Sequence, residues 1–213
     1  MKTYVCILTI VLFFSCADVE KGLNREIQTS TDTVDAHYNP QANLDSLGIK
    51  LRDQGIPVAN YVHAVRSGNL LFLAGKGPKQ ANGENIVGKL GQDLSIDEGY
   101  AAAREVGINQ LSVLKMELGD LNKIKRIVKV HGMVNATPDF TEHSKVINGY
   151  SDLMVAVFGE NGKHARAAVG MGSLPGNMAV EVEMISLNSF AQSDIKNPNS
   201  ILIVYLSRSL FSV

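Results

Sequence analysis

The sequence predicts an α+β fold, with one mostly antiparallel sheet and two helices packed on one of its faces. Three observations carry this expectation. Strand-like and helix-like segments follow one another as strand, strand, helix, strand, helix, strand, strand. The first helical segment opens on a complete capping signature, Ser95-Ile96-Asp97-Glu98. The strand segments carry apolar residues on both faces, so helices on one side leave an apolar face uncovered, and a second copy of the same chain is the usual cover.

The elements follow in order. Val58 to Val65 (VANYVHAV) and Leu70 to Ala74 (LLFLA) read as strands, joined through the turn signal Arg66-Ser67-Gly68-Asn69. Gly75 to Gly91, rich in Gly, Lys and Asn, reads as a loop. From Ser95 a helix runs with Gly107, Leu111, Leu114 and Leu118 at helical spacing, and Gly119-Asp120 ends it. Gly107 costs about 1 kcal/mol of helix propensity against alanine, which close packing onto the sheet would offset. Ile124 to Val134 (IKRIVKVHGMV) alternates as a strand, with Ile127, Lys129, His131 and Met133 on one face and Val128, Val130 and Val134 on the other. Thr137-Pro138-Asp139 turns the chain into a second helix, Phe140 to Phe158, with Val146, Leu153, Met154 and Val157 as core positions. Gly159 to Gly162 closes it, and two short strands around a Leu-Pro-Gly loop follow in Lys163 to Glu183.

Twenty basic and twenty-one acidic residues give a formal charge of −1, with no basic stripe and no tryptophan. Neither a nucleic-acid groove nor a base-stacking platform is therefore expected. The two cysteines, Cys6 and Cys16, lie in the first sixteen residues, so the head has neither a disulfide framework nor a thiol nucleophile. His37, His63, His131, His143 and His164 are scattered without ligand spacing, so no metal site is expected. Lys2, the apolar run Tyr4 to Phe14 and Ser15-Cys16 form an export signal. Cysteine after a small residue resembles a bacterial lipoprotein signal, with Cys16 as the acylated residue and a periplasmic, membrane-anchored head as the consequence. Phe13 and Phe14 are bulky for that pattern, and an ordinary secretory signal or an uncleaved anchor are the alternatives. The organisation expected is a signal at 1–16, a tether at 17–43 rich in Asn, Asp, Thr and Gln, a head at 44–188 and a tail at 189–213. The tail holds the aggregation-prone run Ile201 to Leu206.

The most informative stretch for function is KHARAAVGMGSLPGNMAVEVE, Lys163 to Glu183. Alternation puts Arg166, Ala168 and Gly170 on one strand face and Glu181 and Glu183 together on another. Spacing alone fits two readings. One is a salt bridge on a solvated sheet face. The other is a site in which a guanidinium grips a small carboxylate and a carboxylate handles water or a proton. Lys76, in a Gly-Lys-Gly loop without P-loop spacing, is a further candidate for holding an anion.

The stretches VANYVHAVRSGNLLFLAGKGP, LSIDEGYAAARE, KVINGYSDLMVAVFGENGKHARAAVG and SLPGNMAVEVEMI resemble the Rid/YjgF family of reactive-intermediate deaminases, in the branch described as endoribonuclease L-PSP/chorismate mutase-like. The resemblance spans Leu44 to Leu187. It implies a homotrimer whose sheets form an internal barrel, with ligand sites in the clefts between subunits. It implies cofactor-free hydrolysis of small enamines or imines derived from amino acids, with Arg166 holding the carboxylate and Glu181 positioning the attacking water. Tyr61 and Asn148 match pocket positions. Three departures stand out: Ala168 where deaminases often carry cysteine, Ala74 in place of a serine, and Lys76 in place of a glutamine. They favour, as the alternative, a metabolite-binding trimer without turnover. An endoribonuclease, as the family name has it, ranks third, because the chain shows no basic groove and no paired histidines.

Overall fold

The computed structural model describes residues 38–190. The export signal, Cys16, most of the tether and the tail from 191 lie outside the described residues. Three α-helices and one five-stranded sheet make up the head: α1 Pro40–Ser46, β1 Ala64–Ser67, β2 Leu70–Lys76, α2 Ile96–Leu118, β3 Ile124–Asn135, α3 His143–Phe158, β4 Ala165–Met171 and β5 Val180–Asn188. The α+β class and the single sheet are those the sequence predicts.

Helix α1 is an addition, because it begins inside the stretch expected as tether. Asn39 caps it by accepting from the Ala42 amide, Pro40 pre-sets its first turn, and Pro40 and Leu44 are buried. Four polar residues in seven hid that short amphipathic turn in the sequence. The first strand is also displaced. Residues 58–63 are loop, and pairing starts at Ala64, opposite Leu73.

The strand order is β1-β2-β5-β3-β4. All neighbours are antiparallel except β3 and β4, which run parallel with α3 as the crossover. The two strands flanking the Leu-Pro-Gly loop are therefore not a hairpin, since β3 lies between β4 and β5. Helices α2 and α3 cover one face. Gln110 of α2 donates to the Val182 carbonyl at 2.8 Å. Ile147 of α3 fills the space above Gly132, and the Tyr150 hydroxyl reaches Met184. Val182, Met184 and Gly132 share that face by register. In β3, Ile127 joins Val130 and Val134 in the core, on the side opposite to the one expected. A register irregularity between Ile127 and Lys129 inserts the residue that breaks the alternation.

Helix α2 begins as expected. The Ser95 side chain accepts from the Glu98 amide, while Glu98 accepts from the Ser95 amide at 2.8 Å. Ser95→Ala is expected to lower unfolding free energy by about 1 kcal/mol in urea titration; an unchanged midpoint would show that packing alone holds this end. Gly107 packs against Leu153, Met154 and Tyr150 of α3 rather than against the sheet. The opposite sheet face stays open and carries exposed Val65, Phe72, Val169, Met171 and Leu187.

Candidate functional site

Arg166 sits on the edge strand β4, in register with Val130 of β3, which in turn faces Met184 of β5. Those neighbours are core residues, so its side chain leaves the sheet on the helix-bearing side. There Nη1 donates to Asn148 Oδ1 at 2.9 Å and to Ser151 Oγ at 3.0 Å. Asn148 and Ser151 lie three residues apart on α3, one above the other on the same helix face. The structure thus brings together two of the residues singled out from the sequence, Arg166 and Asn148.

Two further residues complete the arrangement. His164 Nδ1 lies 2.7 Å from the Gly162 carbonyl, which can only accept, so the ring proton is assigned to Nδ1. Nε2 is then an acceptor for the Ser151 hydroxyl at 3.1 Å, and the hydroxyl oxygen is free to accept from Arg166. The hydrogen bonds run one way, from guanidinium to hydroxyl to imidazole to carbonyl. Burial lowers the His164 pKa most, the Gly162 carbonyl opposes that, and the Arg166 charge lowers it a little further. A neutral ring is what the chain of bonds requires. The sequence reading does not single out Ser151, and it places His164 only among the scattered histidines. The signals were present in the i, i+3 spacing from Asn148 and the i, i+2 spacing to Arg166.

Glu181 lies elsewhere. It is in register with Met133 on the open face of the sheet, as Glu183 is with His131. An ideal Cβ on Gly75 would fall 2.0 Å from Glu181 Oε1, so the carboxylate rests directly over the β2 backbone at a position only glycine leaves vacant. Within one chain Arg166 and Glu181 occupy opposite faces, with β3 between their strands. The simple picture of the two side by side on a hairpin is therefore corrected: the fold separates them because a strand from earlier in the sequence inserts between their own.

Burial raises the Glu181 pKa above its ordinary 4.5, and the neighbouring Glu183 charge adds to the rise. Folding then holds this proton more tightly than the unfolded chain does. Its contribution to stability is present below pH 4.5 and is lost as pH climbs through the raised value. Glu181→Gln is expected to flatten that limb and raise the melting temperature near neutrality. A parallel pair of pH–stability curves would refute the assignment.

The remaining predicted residues are dispersed. Tyr61 is half exposed on the loop before β1. Lys76 turns its amine to His63 Nδ1, 2.6 Å away, and not toward Arg166. Ala74 hydrogen-bonds only through its backbone, and Ala168 packs against the core. On the open face, Phe72, Lys129, His131, Ala167, Glu183 and Ile185 line a hollow of about 420 Å³, across which His131 Nδ1 meets Glu183 Oε1 at 3.1 Å. Among the described residues no three His, Cys, Asp or Glu side chains group as metal ligands.

A single sheet with two long helices on one face, an edge-strand arginine held by α3 and a half-buried glutamate on the other face define a class of small α+β proteins with charged groups on both sides of one sheet. Residues 41–187 match the family described as YjgF/chorismate mutase-like, "putative endoribonuclease", and the chain belongs to that family. It is 47% identical to Protein TCP17 of Trypanosoma cruzi over 150 residues, 70% of this chain and 94% of that one. Among solved structures it is similar to the protein Atu1372 of Agrobacterium tumefaciens, of unknown function, at 41% identity and a TM-score of 0.65, covering 70% of this chain and 94% of that chain. A Shewanella oneidensis protein carrying the same endoribonuclease description aligns at 31% identity and a TM-score of 0.67, over 70% of this chain and 99% of that chain.

Proposed function

We propose that this chain is a cofactor-free hydrolase of small imines and enamines bearing a carboxylate, acting as a homotrimer at clefts between copies. The observation that carries the reading is the placement of Arg166 and Glu181 on opposite faces of one sheet. A single ligand meets both groups only if one copy supplies the arginine and its neighbour the glutamate. Among the described residues the apolar sheet face is uncovered and the outer edge of β4 has no strand beside it, and these are the surfaces such a neighbour would cover.

The chemistry follows from the groups. Arg166, with Nη1 fixed by Asn148 and Ser151, aims its remaining N–H donors at the ligand carboxylate. An enamine first tautomerises to the imine. Glu181 takes a proton from water as the oxygen adds to the C=N carbon, and the C=N pair moves onto nitrogen, which is protonated. The carbinolamine then expels ammonia as the C=O bond forms, leaving a 2-oxo acid. The raised Glu181 pKa suits a group that takes a proton and gives it back.

The test is ammonia release from 2-iminopropanoate generated in situ. Arg166-dependent release supports the hydrolase. The side chains of Ala74 and Ala168 offer no polar group, and this favours, as a second reading, a carboxylate-binding trimer without turnover. That reading predicts Arg166-dependent binding of 2-oxo acids with no ammonia formed. Degradation of single-stranded RNA by the wild type at the same protein concentration would instead favour the nuclease activity in the family description. For the segment outside the described residues we propose lipidation at Cys16, which would hold the head at a membrane surface in the periplasm; fatty-acid label that persists in Cys16→Ala would rule this out.

A further inference from the structure

The Lys76 amine takes no part in the arrangement around Arg166. It closes β2 where the register shifts against β5, and its Nζ lies 2.6 Å from His63 Nδ1. His63 is 4% exposed, and its Nε2 lies 3.1 Å from the Gly55 carbonyl. A carbonyl only accepts, so the ring proton resides on Nε2 and the Nδ1 lone pair faces the lysine. Two nitrogens this close hold one proton between them, because an ammonium beside an imidazolium would set donor against donor. The pair carries at most one positive charge, and moving its shared proton onto His63 leaves Lys76 as a free amine.

Other lysines differ. Lys145 and Lys163 are exposed and each meets a glutamate at 2.6 Å. The described contacts of Lys76 include no carboxylate. The charged groups on the elements around the pair are Asp53 and Arg52 on the incoming loop, with Arg52 tied to Glu105 of α2 at 2.8 Å, and Glu181 of β5, whose carboxylate lies over Gly75 next to Lys76. Burial lowers the Lys76 pKa. Burial also lowers that of His63, with the Gly55 carbonyl opposing it and the Lys76 charge lowering it further.

We propose that Lys76 is a nucleophilic amine that condenses reversibly with small aldehydes and 2-oxo acids to form a Schiff base on this chain. The amine lone pair attacks the carbonyl carbon, and the C=O pair goes to oxygen, which receives the proton held by His63. The carbinolamine then loses its hydroxyl as water, with one proton from nitrogen and no change in oxidation state, and a C=N bond to Nζ remains. The step is independent of Arg166 and needs no second copy.

The full chain, incubated with glyoxylate and sodium cyanoborohydride at neutral pH, is digested and its peptides are mass-mapped. The Lys76 peptide is expected to gain the reduced adduct at least about tenfold faster than the peptides carrying Lys145 or Lys163, because His63 Nδ1 is placed to take the amine's proton and the exposed lysines have no such base. Lys76→Arg removes that adduct and leaves the others. His63→Gln, if it folds, slows Lys76 to the rate of the surface lysines. Labelling of wild-type Lys76 no faster than Lys145 overturns the proposal. Because the readout is a covalent adduct rather than ammonia, failure here leaves the hydrolase reading standing, and failure of that reading leaves this one.

Discussion

Arg166→Ala is expected to lower ammonia release from 2-iminopropanoate by about 100-fold or more in kcat/KM, while the melting temperature moves little. A charged hydrogen bond contributes roughly 1.5–3 kcal/mol, and a bidentate grip on a carboxylate involves two of them. Arg166→Lys is expected to recover only a small part of the loss. An ammonium is a point charge and cannot both bridge Asn148 to Ser151 and present a second pair of donors. Ser151→Ala should cost less, about tenfold, because Asn148 still accepts from Nη1 although the second acceptor and the link to His164 are both lost. If Arg166→Ala retained wild-type turnover, the site would have to be sought elsewhere, with the hollow around His131 and Glu183 as the next place to look.

Gly149→Ala is expected to destabilise the head by about 3 kcal/mol or to prevent folding. Its Cβ would stand 2.0 Å from the Tyr100 carbonyl oxygen and 2.8 Å from the carbonyl carbon. Those are backbone atoms of α2 and cannot rotate away. Relief would require α2 and α3 to part, yet Gly99 against Val146 and Gly107 against Leu153 hold them close along the same seam. The sign makes this a sharp test. In an isolated helix glycine to alanine stabilises by about 1 kcal/mol, so a gain in the urea midpoint would show that the helices are not in contact there. Gly119→Ala serves as a control. It ends α2 at φ 72° with open space around it, so only the left-handed backbone penalty of about 1 kcal/mol applies.

Much of this was legible in the chain. The capping box at Ser95, the left-handed stop at Gly119 and the apolar spacing of Val146, Leu153, Met154 and Val157 fix two helices by local chemistry, and the structure has them within three residues of the expected limits. The site was legible in part. Arg166 and Asn148, both named from the family resemblance, are joined by a hydrogen bond. Tyr61 and Lys76 do not join them, and the i, i+3 spacing of Ser151 from Asn148 gains its meaning only once the Arg166 strand lies beside α3.

Local pattern determined α2, α3 and most of the strand segments, though not α1 or the start of β1, because capping, turn chemistry and periodicity act over a few residues. Strand order and facing were decided only in three dimensions. Placing β3 between β4 and β5 depends on pairing groups 36 and 48 residues apart in sequence, since Met133 must find both Val169 and Glu181. That pairing, together with the irregularity after Ile127, sends Arg166 to the helix side and Glu181 to the bare side. No period in the sequence encodes it, because backbone hydrogen bonds between strands are indifferent to side-chain identity and are chosen by how the whole apolar surface packs.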